Sequence, residues 1–350
     1  MPVSDIDWTR VERVLVVRLR SIGDTVLTTP SLSALKRFLP NAEIDILLED
    51  WVAPVLAGSD VVNNVLAVST GTLARVRAVR EIRRRRYDIV FNLHGGTTAT
   101  FFSWLSGAHH RVGLANYQYS FLYNHLLSSP IDFWKTDKLH SAEQMLALLG
   151  FVGVPVDDRP LSSLIVTSEA DESVRSRLEL SGIDDASPFA LIHPASTQFT
   201  KQWAIENFAR TAEYLDHLGI STVAVAAKHE SQILRELETA SKVPITALDD
   251  LTLPEITALA AKATIFVGND SGIAHIAAGV RTSTVVIFGS SNRTHWRPWT
   301  DAPNEIVFAE FECQPCPGYE CKVYGDARCI LSVSLEAVFA AIDRVLFASA

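Results

Sequence analysis

The sequence predicts an α/β protein built from two doubly wound, parallel-sheet domains. Three observations carry that expectation. The chain has 350 residues, 48% of them hydrophobic, and single cores usually stop growing before that length, so two are expected. Short apolar runs of strand type alternate with segments of helical periodicity, the pattern of parallel strands covered by helices on both faces. A Gly-, Pro- and Asp-rich break, GFVGVPVDDRP at 150–160, divides this alternation into two series. The expected organisation is a first domain over residues 1–160, a second over 161–334 and a closing C-terminal helix over 335–350.

In the first series VERVLVVRLR reads as a strand and SIGDTVLTTPSLSALKRFLP as a helix, with Asp24 a possible cap if that helix starts at Thr25. EIDILLED and VVNNVLAV read as further strands, and a basic helical stretch leads into YDIVFNLHGG. The second series gives the strand FALIHPAS, the helix IENFARTAEYLDHLG, the strand STVAVAA, the helix ESQILRELETA and then VPITAL. It continues with the helix LPEITALAAKA, the strand TIFVGND, the helix GIAHIAAGV and the strand STVVIFGSS. SLEAVFAAIDRVLFAS has strong helical periodicity. Low-complexity segments and short-period repeats are missing, which excludes solenoids and arrays.

Composition narrows the function classes. No apolar run approaches the roughly 18 residues that span a bilayer, and the N-terminus carries acids where a signal peptide needs a basic region and an apolar stretch. A cytoplasmic protein is expected. The net charge of −9 conceals an asymmetry: residues 1–150 hold 16 Lys+Arg against 14 Asp+Glu, and the remainder 15 against 26. The halves therefore carry +2 and −11, which excludes a uniformly basic nucleic-acid binder and leaves a local basic patch for an anionic partner. All four cysteines fall in one segment, Cys313-x2-Cys316-x4-Cys321-x7-Cys329. Clustered thiols invite a zinc reading, but the spacing departs from paired CxxC ribbons, and reduced loop cysteines fit equally.

Ligands of open α/β sheets bind at the carboxyl ends of strands, so the turns after strands are where chemistry is expected. In Gly268-Asn269-Asp270-Ser271-Gly272 a buried strand ends and a helix begins, offering free amides to an anion, close backbone approach at Gly268 and Gly272, and a hydroxyl acceptor in Asp270. A phosphate-bearing, hydroxyl-rich ligand satisfies these features; so does a plain helix cap at Asp270 or Ser271. HPASTQFTKQW supplies His193, Ser196, Thr197 and Lys201, hydroxyls and an ammonium suited to a diphosphate, with a solvated Lys201 as the bland alternative. In Arg20-Ser21-Ile22-Gly23-Asp24 the only carboxylate is Asp24, a general base or a cap.

Together LRSIGD, HPAS with Lys201 and Trp203, and GNDSGIAHIAA resemble glycosyltransferase family 9, the ADP-heptose:lipopolysaccharide heptosyltransferases. LPEITALAAKATIFVGNDSG and VVIFGSSN follow in the family's order, so the resemblance covers most of the chain. It implies a GT-B type fold of two facing Rossmann-like domains, an N-terminal one for the acceptor and a C-terminal one for the nucleotide sugar. It also implies inversion at the anomeric carbon, no catalytic metal and no cofactor. Asp24 matches the family's general base, with Ser21 and Gly23 in the same acceptor-side turn. Ser196, Thr197 and Lys201 match donor-phosphate residues. Asp270, Ser271 and Gly272 match the turn holding sugar and pyrophosphate, with His275 one helical turn on. Glu230 is carried over as a ribose contact and Leu251 as an adenine neighbour.

The implied partners are a nucleotide-sugar donor, ADP-heptose, and a glycolipid or glycan acceptor, with no nucleic acid. The basic stretch 75–86 either meets the phosphates of a lipid-linked acceptor at the cytoplasmic face of the inner membrane or is a solvated helix face. One departure bears on the sugar: relatives continue the last strand with FGPTDP, whereas this chain has FGSSNRTHWRPW. The alternatives are a relative using another nucleotide sugar and a non-catalytic sugar-nucleotide binder. A Rossmann oxidoreductase is disfavoured, because RSIGD has one glycine where G-x-G-x-x-G needs three.

Overall fold

The computed structural model describes residues 6–184, 187–316 and 318–347. The chain divides into two compact units, Met1–Leu164 and Ile165–Ala350.

The first unit contains β1 (Arg13–Leu19), β2 (Glu43–Glu49), β3 (Asn64–Val68), β4 (Ile89–Asn92), β5 (His110–Leu114) and β6 (His125–Leu127). They form one parallel sheet in the order β3-β2-β1-β4-β5-β6. Its helices are α1 (Ile22–Val26), α2 (Thr29–Phe38), α3 (Thr72–Arg85), α4 (Gly96–Leu105), α5 (Pro130–Trp134) and α6 (Ser141–Phe151). The central strand β1 is apolar on both faces, with Val14, Leu15, Val16 and Val17 fully buried, as a sheet covered on both sides requires.

One expected helix is two. The segment after β1 breaks between α1 and α2 because Pro30, at the start of α2, has no N–H with which to continue the ladder. The Val26 carbonyl accepts instead from Thr29 Oγ1 at 2.7 Å. The first helix also begins at Ile22 rather than Thr25, with Ser21 as its N-cap residue.

The second unit opens with α7 (Ser168–Leu180) and continues through β7 (Phe189–His193), α8 (Ile205–His217), β8 (Ser221–Val225), α9 (Ser231–Ala240) and β9 (Ile245–Leu248). Next come α10 (Leu253–Lys262), β10 (Ile265–Asn269), α11 (Gly272–Gly279), β11 (Thr284–Phe288), α12 (Arg293–Trp296), β12 (Asn304–Phe308), α13 (Arg328–Leu331) and α14 (Leu335–Phe347). The six strands are parallel in the order β12-β11-β10-β7-β8-β9. Helix α14 buries Val338, Ala341, Ile342 and Val345 in this unit's core, and Phe339 stacks on Tyr214 with centroids 4.2 Å apart. Residues 348–350 of the expected C-terminal helix lie outside the described residues.

Counted within each unit, both sheets have the strand order 3-2-1-4-5-6. The first and fourth strands are neighbours whose connections leave in opposite directions. A crevice forms there at the strands' carboxyl ends, the position that open α/β sheets use for ligands. In the first unit this point lies between β1 and β4, and in the second between β7 and β10. Among the described residues no helix is long and apolar enough to cross a membrane.

Candidate active site

Each unit carries a cluster at its own switch point. In the first, Arg18 is the charged residue within the buried run of β1 and is 8% exposed. Its guanidinium donates to the carbonyl of Leu93, just past β4, and to the carboxylate of Asp24. The other Asp24 oxygen accepts from Ser21 N at 3.2 Å and Ser21 Oγ at 3.0 Å. The carboxylate is thereby aimed from two sides: by the strand through Arg18 and by the turn through Ser21. Gly23 is buried within α1, and Thr28 Oγ1 ties the Asp24 carbonyl at 2.8 Å.

His94 follows β4 and lies close enough to Arg18 and Asp24 to feel both charges. Burial pushes its pKa below the usual value, Arg18 pushes the same way and Asp24 opposes, so a neutral imidazole stands beside the Arg18–Asp24 pair at pH 7. The loop carrying it is pinned by Asn92 Oδ1, which accepts from the amides of His94 at 3.0 Å and Gly95 at 2.9 Å. Gly95 has φ +74°, and a Cβ there would lie 3.0 Å from the Tyr117 ring; the turn requires glycine for both reasons.

In the second unit Lys201 leaves a 3₁₀ turn after β7, and its Nζ lies 2.9 Å from Asp270 Oδ2, past the end of β10. The same oxygen accepts from Ser291 Oγ, past the end of β11. Asp270 is 6% exposed. Ser271 is the N-cap residue of α11, yet its side chain makes no capping bond. Its Oγ lies instead 3.1 Å from His193 Nδ1. Burial holds the His193 imidazole at a pKa of about 4, so this ring is neutral at pH 7. The capping alternative for this turn therefore meets a specific difficulty: Asp270 is committed to Lys201 and Ser291, and Ser271 to His193. Neither bonds the first-turn amides of α11, which retain their positive polarity toward an incoming anion.

The turn is locked by close packing. Asn269, fully buried, donates to the Pro194 carbonyl at 2.7 Å and accepts from Trp203 N at 3.1 Å. A Cβ on Gly268 would come within 2.9 Å of the His193 carbonyl oxygen, and one on Gly289 within 2.0 Å of the Thr200 carbonyl oxygen. Glycine at 289 lets the β11 exit press directly on the Lys201 turn. Thr200 Oγ1 also lies 2.9 Å from Ser290 Oγ.

The remaining sequence candidates spread along the carboxyl edge of this sheet. Ser196 is buried and Thr197 exposed in the turn after β7. Glu230, after β8, accepts from Ala227 N at 3.2 Å. Leu251, after β9, precedes the capping Thr252 of α10 and is half-buried. His275 is buried inside α11. Lys201 and Asp270 are thus in direct contact, while Glu230 and Leu251 lie one and two strands farther from β7. The distance from β10 to β9 is three strand spacings, roughly 14 Å.

The sequence reading missed Arg18, His94, Asn269 and Ser291. Arg18 had a legible signal, a charge inside a buried parallel strand. The others are recognisable only once strands distant in sequence become neighbours.

The four cysteines are free thiols. The Cys329 thiol is pushed up by burial and by the neighbouring Cys316, Cys313 and Cys321. Among the described residues no group of three or more His, Cys, Asp or Glu side chains is arranged to hold a metal ion. The segment is fastened to the β11 exit by Cys316 N to Ser290 O at 3.0 Å and Gln314 Nε2 to Gly289 O at 2.6 Å.

Comparison with known proteins gives a consistent result. Lipopolysaccharide heptosyltransferase 3 of Escherichia coli K12 is 28% identical over 94% of this chain and 96% of its own. A solved glycosyl transferase of family 9 from Veillonella parvula superposes with a TM-score of 0.83 at 19% identity, covering 96% of this chain and 97% of that one. The E. coli ADP-heptose lipopolysaccharide heptosyltransferase II superposes with a TM-score of 0.79 at 18% identity, covering 96% and 99%. These structural likenesses establish the fold. The family pattern for glycosyltransferase family 9 (heptosyltransferase) matches residues 75–325, more than half of the sequence. The chain belongs to that family and is a glycosyltransferase of the GT-B type.

Proposed function

We propose that this protein transfers heptose from ADP-heptose to a lipopolysaccharide-core or related glycan, inverting the anomeric carbon without a metal ion. The observation that carries the reading is the pair of Lys201 with the buried Asp270 beside the uncapped amides of α11 at the second unit's switch point. It is supported by relatives named for heptose transfer to lipopolysaccharide.

Asp24 accepts the proton of an acceptor hydroxyl, and the oxygen attacks the anomeric carbon from the face opposite the phosphate. The bond from that carbon to the phosphate oxygen breaks, and ADP leaves with the electron pair. Lys201 and the first amides of α11 stabilise the charge growing on the diphosphate, taking the part a divalent cation plays elsewhere. Asp270 holds Lys201 and offers its second oxygen to a sugar hydroxyl, with Ser271 and Gly272 beside it and His275 behind. Ser196 and Thr197 bond phosphate oxygens. Glu230 takes the ribose and Leu251 flanks adenine, in keeping with a nucleoside diphosphate laid along the strand ends from β10 to β9.

Residues 1–160 serve the acceptor, residues 161–334 the donor, and the C-terminal helix closes the donor part. The protein works in the cytoplasm as a peripheral protein of the inner membrane, with no nucleic-acid partner and no cofactor. A second reading, a different donor sugar, draws on the β11 exit, where Asn292 caps α12 through the amides of Thr294 and His295 in the departing FGSSN segment.

The test is turnover with a panel of nucleotide sugars and a truncated lipopolysaccharide acceptor, following nucleotide release and product configuration. ADP-heptose is expected to be preferred, the product inverted and turnover insensitive to chelator. Asp24→Ala is expected to lower kcat about 10³-fold with donor Kd held within about 2-fold. A retained configuration, or near-normal turnover in that variant, sinks the mechanism; preference for another nucleotide sugar selects the second reading.

A further inference from the structure

Helix α3 is unlike any other element of this acidic protein. Residues 72–86 hold seven arginines and a single acid, Glu81, a local charge of +6 in a chain of net charge −9. The inner side of the helix is small and apolar: Ala78, Val79 and Ile82 pack beneath it against the core of the first unit. Arg85 turns inward to Asp45, where it makes an ion pair at 2.9 Å. Glu81 takes Arg84 and Arg85. Among the described residues Arg75, Arg77, Arg80, Arg83 and Arg86 make no ion pair, and all five are exposed.

The outer face is not only charged. At helical spacing Leu73, Val76, Arg80 and Arg83 lie on the same side; Leu73 is 75% exposed and Val76 41%. At its far end α3 meets the end of α4, since a Cβ on Gly107 would lie 3.9 Å from Arg83 Nη2. Trp104 and Phe101, one helical turn apart on α4, are both exposed. The aromatic row continues through Tyr119, 5.5 Å from Phe101 between centroids, to Phe121, 6.2 Å from Tyr119 and 78% exposed. Unpaired guanidiniums therefore run into a row of exposed aromatic rings within one unit.

We propose that the α3–α4 face docks on an anionic phospholipid bilayer. The arginines lie against lipid phosphates and the rings of Trp104, Phe101, Tyr119 and Phe121 enter the headgroup layer. Guanidiniums free of internal partners complement a phosphate surface, and exposed aromatic rings with amphipathic arginine stems suit the boundary between water and acyl chains. A nucleic acid would gain from the same arginines, but it offers no apolar phase for Leu73 and Val76, which are exposed among them. The proposal deepens the peripheral-membrane part of the function above by naming the surface and the lipid chemistry.

The experiment is vesicle co-flotation of the full-length protein without donor or acceptor, using phosphatidylcholine vesicles with and without roughly one-third phosphatidylglycerol. Binding is expected only to the anionic vesicles and is expected to weaken as salt rises from about 0.1 M to about 0.5 M. Arg75→Gln/Arg77→Gln/Arg80→Gln/Arg83→Gln is expected to lower binding at least about 10-fold. Trp104→Ser/Phe121→Ser is expected to weaken the binding that survives high salt. Both variants are expected to keep their melting temperatures and their turnover on a detergent-solubilised acceptor. Equal binding to neutral vesicles, undiminished flotation of the arginine variant, or tighter binding to RNA than to anionic vesicles overturns the proposal. Failure of heptose transfer with flotation intact overturns the catalytic reading alone.

Discussion

The two units share a strand order and each sets an ion pair at its switch point, but the pairs are mounted in opposite senses. In the first, the cation is the inner member: the Arg18 side chain is 10% exposed and that of Asp24 19%. In the second, the carboxylate is the inner member, with Asp270 at 6% and Lys201 at 21%. One scaffold thus presents a carboxylate outward and the other an ammonium outward. The inner partner in each case compensates and aims the outer charge. The lesson is that the sheet topology fixes where the outward charge sits, while the sense of the pair fixes its sign.

This comparison can be broken at four places. The largest effect is expected from Lys201→Met, which removes the outer cation and strands Asp270. A loss of about 10²–10³ in kcat/KM, with weakened donor binding, is expected by steady-state kinetics and calorimetry. Unchanged donor affinity would contradict the phosphate role. Arg18→Met leaves the outer carboxylate without its charge partner and aimed only by Ser21. A drop of about 10–100-fold in kcat is expected, with donor Kd unchanged; if donor binding falls as well, the two pairs are not functionally separate.

Gly289→Ala forces a methyl group against the Thr200 carbonyl oxygen. A loss of about 1–3 kcal/mol in unfolding free energy is expected from denaturant titration. Donor affinity is expected to fall with it, since Thr200 precedes Lys201. A variant that is destabilised yet binds donor normally would show that the Lys201 turn is not held from β11.

The smallest effect at neutral pH is expected from His193→Gln. The folded protein holds this imidazole at a pKa of about 4, below its ordinary 6.5, so between those values the unfolded chain binds a proton that the folded one refuses. Stability is therefore complete above about pH 6.5 and falls toward pH 4, at up to about 1.4 kcal/mol per pH unit. The variant is expected to lose that part of the slope in melting temperature between pH 7 and pH 5. An identical acid slope would remove His193 from the account.

The sequence carried the fold class because parallel strands buried on both faces leave short apolar runs that few other architectures produce. It also located the turns, each of which follows such a run. What it did not carry were the pairings. Lys201 and Asp270 are 69 residues apart and meet only because β7 and β10 become neighbours. Ser291 joins them by the same logic from β11. The division between α1 and α2 is marked in the sequence by Pro30, but the apolar spacing continues through it as in one helix. Strands β5, β6 and β12 are short and mixed in polarity, at or near the sheet edges, so their runs do not stand out from loops.

Trp203 gives the second unit an optical property. Its indole is 1% exposed, its ring Nε1 donates to the Val333 carbonyl at 2.9 Å, and its backbone amide donates to Asn269 next to Asp270. A fluorophore so enclosed emits at short wavelength and is shielded from aqueous quenchers, whereas the exposed Trp51 and Trp104 are not. With acrylamide quenching the exposed indoles, the emission that remains comes from Trp203 and the half-buried Trp8, Trp134, Trp296 and Trp299, and the difference from a Trp203→Phe variant isolates a label-free signal two residues from Lys201.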